Sequence, residues 1–229
     1  MKRIIPPLIV GALLLCNAFA TVITFTGGTA LDPYGNSHTT NANNVYFNTS
    51  TYIENGFRLD YITDGSYQMQ TVGDYYGTGN DVIHGHWTSG LQSIDVKSTT
   101  VGATFDLNYF ILTSNTSHGG GDATGLETVY VQGYRNGSAV TGSYLLPSEN
   151  WGMETTKNVV LDSSFDNIDL FRISGSGAFC FGMDAFYLNE SAPVQGVEPL
   201  SLPGNNIPET SAAVLGGLGM LTLLRRKRI

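Results

Sequence analysis

The feature that most limits the fold of this chain is the absence of a helical period before Ser211. Apolar residues never keep helical spacing there for long enough to form an amphipathic helix. The run VYVQGYRNGSAV (129–140) instead alternates Val129 and Val131 with polar or aromatic residues, and its Asn136-Gly137 pair is a strong hairpin turn signal. This pattern predicts an all-β fold, a single two-sheet antiparallel β-sandwich of jelly-roll type.

Further short runs fit strands of the same sandwich. An opening strand is expected around Val22 and Ile23, and Gly, Asn, Asp, Ser and Thr fill the gaps between runs. Residues 21–190 suffice for one well-buried core and are too few to argue for two, so they are predicted to form one domain. The other predicted strands are 56–62, 93–96, 104–112, 157–161, 168–173 and 178–188.

The N-terminus predicts export. Lys2 and Arg3 precede an apolar run over 4–15, and Ala18 and Ala20 form the small-x-small site of a signal peptide. We therefore predict a signal peptide at residues 1–20, recognised by the secretion translocon and cleaved after Ala20.

Only one of the two cysteines is expected to remain in the mature protein. Cys16 follows the bulky Leu15, where a lipobox needs a small residue, so it leaves with the signal peptide. Cys180 then remains alone in the mature chain, and its neighbours Phe179 and Phe181 favour a buried, inert thiol.

The C-terminus holds an uncharged apolar segment over 211–224. As a helix it would rise about 21 Å, whereas the hydrocarbon core of a bilayer is roughly 30 Å thick. A core helix is disfavoured by three glycines and by the basic end, whereas a permanent anchor is workable only if the bilayer thins. The segment is preceded by Pro208, Glu209 and Thr210 and followed by Arg225, Arg226, Lys227 and Arg228.

This three-part tail over 208–229 resembles the PEP-CTERM sorting signal of exopolysaccharide-producing bacteria. The family prefers proline where this chain has Thr210. The resemblance implies a short transmembrane helix that holds the protein transiently in the inner membrane until an exosortase-like enzyme processes it toward the cell surface or the exterior. Residues 191–207, rich in proline and small residues, are predicted to be a linker.

A second resemblance lies in the sequence FDNIDLFRISGSGAFCFGMDAFYLNE (165–190). It looks like the closing hairpin of jelly-roll domains that resemble carbohydrate-binding modules, and YIENGFRLDYI (52–62) and GATFDLNYFIL (102–112) look like an early and a middle strand. The resemblance implies a structural Ca²⁺ between the first strand and an aspartate of the last, which matches Asp184 in FGMDAF. The alternative is that Asp184 caps a turn or binds backbone amides.

Charge limits the partners of the mature region. Residues 21–207 contain five Lys or Arg residues and eighteen Asp or Glu residues, and this excess of negative charge disfavours nucleic acid and anionic membranes as partners. Cations, neutral glycans and basic surfaces remain open. The resulting hypothesis is a non-catalytic structural, adhesive or polysaccharide-binding protein of the cell surface or extracellular matrix.

Sugar binding needs aromatic platforms beside polar groups. Tyr75 and Tyr76 lie in the glycine-rich GDYYGTGND, and Trp151 lies in SENWGMET. These three residues are the candidate glycan platform, although most tyrosines of a β-protein serve the sheet surface.

The alternative function is a secreted hydrolase or metal-dependent enzyme on the same scaffold. Nucleophile-elbow, zincin, Walker and Rossmann motifs are absent from the sequence, so no catalytic residue is predicted. Among the scattered acids, Glu127, Glu149 and Glu154 are possible members of a glycosidase pair.

The segment DVIHGHW offers a second metal alternative. If it is a strand, His84 and His86 face the same side and could bind one zinc or copper ion. A third ligand would come from His38, His118 or an aspartate. We favour the alternative in which the two histidines line a polar face or turn and Trp87 packs into the core.

Overall fold

The computed structural model describes residues 20–190, apart from 42, 68, 154–155 and 178–179. The chain divides into two units, Met1–Ala192 and Pro193–Ile229, and every described residue belongs to the first. Apart from Ala20, the predicted signal peptide, linker, sorting motif and basic tail therefore lie outside the described residues. Within the described part of the chain, no helix has the length and apolar character needed to cross a membrane.

Short strands dominate the described residues, as the alternating sequence pattern predicts. Two single-turn 3-10 helices, Trp87–Ser89 and Ser163–Phe165, interrupt them. The strands are β1 (Thr21–Ile23), β2 (Thr29–Leu31), β3 (Ser37–Thr39), β4 (Val45–Tyr46), β5 (Thr51–Glu54), β6 (Phe57–Thr63), β7 (Thr71–Gly73), β8 (Val82–Gly85), β9 (Leu91–Ser98), β10 (Leu107–Thr116), β11 (Thr128–Arg135), β12 (Ser138–Ala139), β13 (Tyr144–Leu145), β14 (Lys157–Val160), β15 (Leu170–Ser176) and β16 (Cys180–Leu188).

The strands form two antiparallel sheets that pack as a sandwich. The seven-stranded sheet has the order β14-β10-β16-β8-β7-β4, with β1 paired to β16. The nine-stranded sheet has the order β12-β11-β15-β9-β6-β5-β2-β3, with β13 paired to β11. The predicted all-β fold, a two-sheet antiparallel sandwich, is confirmed. The hairpin prediction also holds, since β11 and β12 pair around Asn136 and Gly137, which both have positive φ.

Aromatic rings from both sheets meet in the core. Phe186 on β16 contacts Phe171 on β15 at a ring-centroid distance of 5.1 Å, and its ring also meets Phe25 and Phe110. Phe105 extends this packing towards Phe171. These side chains are almost fully buried, and their burial is the main force that holds the sheets together.

One predicted strand continues further than its apolar pattern suggested. Residues 104–112 were expected to form it, but β10 runs to Thr116 through four polar residues that are all fully buried. Loops cover these side chains and shield them from solvent. The Asn115 side chain, for example, donates a hydrogen bond to the backbone oxygen of Pro147 in one such loop, at 3.0 Å. The loops that cover this end of the seven-stranded sheet form the candidate site together with the sheet.

Candidate functional site

The candidate site lies on the outer face of the seven-stranded sheet. Phe181 and Met183 of β16 are fully buried in the core, so the alternation of a strand turns Cys180 and Gly182 to the opposite face. Gly182 pairs with His84 of β8, which places His84 on this outer face as well. Loops then cover the face and supply aromatic side chains.

Tyr75, Tyr76 and Trp151 lie together over this face, and we call them the aromatic cleft. The rings of Tyr76 and Trp151 meet edge to face at 5.0 Å, and those of Tyr75 and Trp151 lie 6.4 Å apart. The two loops that carry these residues are distant in sequence, yet the fold brings all three predicted platform residues into one cluster. Whether they bind a glycan remains a prediction.

Tyr76 is fixed from below by the sheet. Its hydroxyl donates to Ser114 Oγ at 2.9 Å and lies 3.2 Å from Thr113 Oγ1. Burial raises the pKa of Tyr76 to about 12, so the hydroxyl stays protonated at neutral pH. Gly182 provides the space, because a Cβ there would collide with the Tyr76 hydroxyl. Tyr76 is therefore a rigid wall of the cleft.

Trp151 forms the open side of the cleft. It is 36% exposed and borders a pocket of about 490 Å³ that is also lined by Tyr76, Thr78 and Met153. Its backbone N–H donates to the Gly121 carbonyl at 3.1 Å, so the loop over 117–125 holds it in place. The indole thus combines an accessible apolar surface with a fixed position.

Glu127 organises that loop. Its carboxylate accepts five hydrogen bonds, from the backbone N–H groups of Ser117, Thr124 and Gly125 and from the hydroxyls of Thr124 and Ser148. Burial alone would raise its pKa, but these hydrogen bonds together hold the pKa far below the usual range of a glutamate. A general acid needs a raised pKa, so this environment suits a structural carboxylate and not an acid catalyst.

Two further acids, Glu149 and Glu154, were considered for a glycosidase pair. Glu149 is buried and lies 3.9 Å from Lys157 Nζ, and Glu154 lies outside the described residues.

His84, His86 and Cys180 converge beneath the aromatic cleft, and we call them the His–Cys cluster. Their ligand atoms all lie within 4.8 Å of one another, and all three residues are buried. The rings of His84 and His86 are 4.9 Å apart, which agrees with the expectation that both side chains share one face. Tyr75 stacks on His84 with ring centroids 3.8 Å apart, so the cluster and the cleft are continuous.

Cys180 is buried, as the sequence predicts, but its thiol also contacts a histidine, which the sequence did not indicate. Its Sγ lies 3.6 Å from His86 Nε2, because β16 turns this side chain to the outer face, away from the core. Burial raises the pKa of Cys180 to about 11, and burial lowers the pKa of His84 well below its usual value, with a smaller contribution from His86. The thiol is therefore protonated and His84 is neutral. The expected packing of Trp87 into the core is also found.

Asp184 lies at a β-bulge. Ile111 of β10 pairs with Ala185 and Leu112 with Met183, so Asp184 is the extra residue of the bulge and is skipped in the pairing with β10. Its Oδ1 accepts from Asn80 Nδ2 at 3.0 Å. Burial raises the pKa of Asp184, the hydrogen bond from Asn80 lowers it and the nearby Asp81 raises it, and together these effects raise the pKa to about 6.

Asp81 completes an acidic pair with Asp184. It is fully buried, one oxygen accepts from Thr26 Oγ1 at 2.8 Å, and the other has no hydrogen-bond partner among the described residues. Thr26 lies in the loop after β1, so this loop contacts Asp81, whose charge acts on Asp184 of the last strand. An oxygen-rich, under-satisfied pair of this kind fits Ca²⁺, whose ligands are carboxylate and carbonyl oxygens.

Comparisons with known proteins leave the family open. No family model and no curated protein matches the chain. Among solved structures, it is similar to a family 29 carbohydrate-binding module from Piromyces equi, with 14% identity and a TM-score of 0.38, covering 76% of this chain and 93% of that one. The chain is also similar to a family 32 module from C. perfringens NanJ in complex with galactose, with 13% identity and a TM-score of 0.31, covering 57% of this chain and 93% of that one. A third similar structure is the K1 cleaved adhesin domain of Lys-gingipain from Porphyromonas gingivalis W83, with 10% identity and a TM-score of 0.38, covering 77% of this chain and 100% of that one. Scores of this size carry no conclusion about the ligand.

Sequence reasoning missed a second aromatic pocket. Tyr34, which is 90% exposed, and Tyr67 line a pocket of about 640 Å³ together with Asp64 and Asn48. The turn sequence DPYGN could have indicated an exposed Tyr34, because Asp32 Oδ1 accepts from the Tyr34 and Asn36 backbone N–H groups and closes this turn. This pocket provides a natural control for the aromatic cleft.

Proposed function

We propose that the chain is an exported, non-catalytic module of the cell surface or extracellular matrix that binds polysaccharide at the aromatic cleft. The observation that carries this proposal is the exposed indole of Trp151, fixed beside Tyr76 at an open pocket of about 490 Å³. A flat indole covers the apolar face of a pyranose, and an open pocket admits a unit of a longer chain.

The fixed positions of Tyr76 and Trp151 favour the aromatic cleft over other exposed aromatic residues as the binding site. The Tyr76 hydroxyl is bonded to the sheet, and the Trp151 backbone is bonded to a loop that Glu127 organises. A preorganised aromatic surface loses little conformational entropy on binding. The Tyr34 ring is 90% exposed, so its side chain keeps more conformational freedom to lose on binding.

The proposed ligand is neutral. The excess of acidic residues in the mature region repels anionic polymers, whereas a neutral glycan meets no such barrier. Thr78 lines the pocket beside Trp151 and supplies a hydroxyl that can hydrogen-bond to sugar hydroxyls.

The proposed delivery uses both termini. The signal peptide at 1–20 would direct export, and the tail at 208–229 would be processed by an exosortase-like enzyme, with Pro208, Glu209 and Thr210 as the motif. The support for this step is the order of motif, apolar segment and basic end in the sequence. The expected result is a mature protein outside the inner membrane that lacks residues 211–229; recovery of only the full-length chain there would contradict it.

A structural Ca²⁺ belongs to the same proposal. Asp81 and Asp184 would hold the ion, and Asn80 and Thr26 are close enough to contribute oxygens. The ion would neutralise the buried Asp81 and the half-buried Asp184 and connect the first-strand loop to β16.

A glycan array and a pull-down with neutral matrix polysaccharides test the binding proposal. Trp151→Ala should weaken binding by about tenfold or more, equivalent to at least ~1.4 kcal/mol, whereas the control Tyr34→Ala should leave it unchanged. Loss of binding in Tyr34→Ala alone would move the site to the other pocket. A hydrolysis screen run beside it addresses the enzyme alternative, since turnover abolished by changing a single glutamate or histidine would overturn the non-catalytic proposal.

A further inference from the structure

The His–Cys cluster has the composition of a metal site, and its ligand atoms lie within 4.8 Å of one another. His84 and His86 lie on and directly after β8, and Cys180 begins the neighbouring β16, so sheet pairing alone brings them together. An ion with bonds of about 2.0 Å to nitrogen and 2.3 Å to sulfur, at tetrahedral angles, separates the two ligand atoms by about 3.5 Å. The observed distance from Cys180 Sγ to His86 Nε2 is 3.6 Å.

His84 provides an independent sign of a ligand. Its side chain is fully buried, and neither ring nitrogen has a hydrogen-bond partner among the described residues. Leaving a buried polar group unsatisfied is costly, so native proteins rarely keep one without a partner or ligand. Tyr75 covers one face of the ring but offers it no hydrogen bond.

We propose that His84, His86 and Cys180 bind one thiophilic transition-metal ion of the zinc or copper class. Two imidazoles and a thiolate suit these ions, whereas Ca²⁺ and Mg²⁺ prefer oxygen ligands. On binding, the S–H bond of Cys180 is replaced by a metal–sulfur bond and one proton leaves to solvent, while the two imidazoles donate lone pairs as neutral ligands. No oxidant or reductant is needed.

Burial gives the site a structural role. His84, His86 and Cys180 are each at most 4% exposed, so the ion would be enclosed beneath the loops. Tyr75 stacks on His84, and the Gly120 backbone N–H approaches the Cys180 sulfur. The ion would therefore stabilise the loops that form the aromatic cleft, although its binding is measured without any glycan.

The test uses the full chain in a Cys16→Ser background, so that Cys180 is the only thiol. Zn²⁺, Cu⁺, Co²⁺ and Ca²⁺ are offered separately, both to the folded protein and during refolding, because a buried site exchanges slowly. We expect one Zn²⁺ or Cu⁺ per chain after desalting. Co²⁺ should give a thiolate-to-cobalt charge-transfer band, and zinc should protect Cys180 from alkylation in the native state.

Variants locate the ion. Cys180→Ser should abolish the charge-transfer band and weaken zinc binding by at least about 100-fold, because loss of a direct ligand exceeds the 10–100-fold effect of an outer partner. His84→Gln should weaken zinc binding similarly, and His38→Gln is the matched control that should bind as the parent does. Retained binding in Cys180→Ser and His84→Gln would overturn the proposal. If these variants fail to fold, the parent protein decides: absence of the cobalt band and of thiol protection would also overturn it.

Discussion

Glu127→Gln is the substitution that most directly tests how the cleft is built. The side chain keeps its shape, but one carboxylate oxygen becomes an N–H₂ group that cannot accept a hydrogen bond. If the amide nitrogen takes the place of Oε2, the hydrogen bond from the Gly125 N–H is lost, and the Ser148 hydroxyl must turn to accept from the amide. A hydrogen bond to a charged group contributes about 1.5–3 kcal/mol, so the free energy of unfolding should fall by at least about 1.5–3 kcal/mol.

Urea unfolding measures this loss as a lower midpoint at unchanged slope. Asp122→Asn is the matched control, because Asp122 is an exposed acid of the same loop and its substitution removes the same charge. It should change the free energy of unfolding by no more than about 0.5 kcal/mol. Equal effects of the two variants would refute the assignment of Glu127 as the organiser of the loop.

The difference in the free energy of unfolding between the parent and Glu127→Gln should depend on pH in a defined direction. The folded-state pKa of Glu127 is lowered, so its stabilising contribution is fully present above the unfolded pKa, near 4.3, and is lost as the pH falls towards the folded value. The gap between the parent and Glu127→Gln should therefore be constant from pH 5 to 7 and shrink below pH 4. A gap that widened in acid would contradict this account.

The remaining predictions concern the cleft and the acidic pair. Gly182→Ala should destabilise the protein by about 1–3 kcal/mol and weaken glycan binding, because the new methyl group displaces the Tyr76 hydroxyl. Urea unfolding and a binding titration measure the two effects. Gly142→Ala is the control, because a Cβ at that site meets open space. A calcium chelator should lower the melting temperature of the parent but not of Asp184→Asn, and an unchanged melt in both would discard the calcium proposal.

Much of the fold follows from local sequence signals. Alternation with a period of two predicts the strands, and the Asn136-Gly137 pair predicts the β11–β12 hairpin, because each signal acts between residues close in sequence. The extension of β10 to Thr116 was not predictable in this way, since its polar side chains are buried by loops that arrive from elsewhere.

The candidate site depends on contacts between distant parts of the chain. Cys180 and His86 are 94 positions apart, and Asn80 and Asp184 are 104 apart. Residue types could suggest His84 and His86 as a pair, but only strand pairing shows Cys180 as the third member in place of His38 or His118. The bulge at Asp184 likewise depends on the register between β10 and β16.

The most direct test of polysaccharide binding uses intrinsic fluorescence, because the chain has only two tryptophans in contrasting surroundings. Trp151 is 36% exposed at the cleft, whereas Trp87 is 7% exposed in the core. Titration with a neutral matrix polysaccharide should shift the emission of the parent and of Trp87→Phe, and Trp151→Phe should show no shift. A saturating shift that persists in Trp151→Phe, or no shift in the parent with any such polysaccharide, would contradict the account.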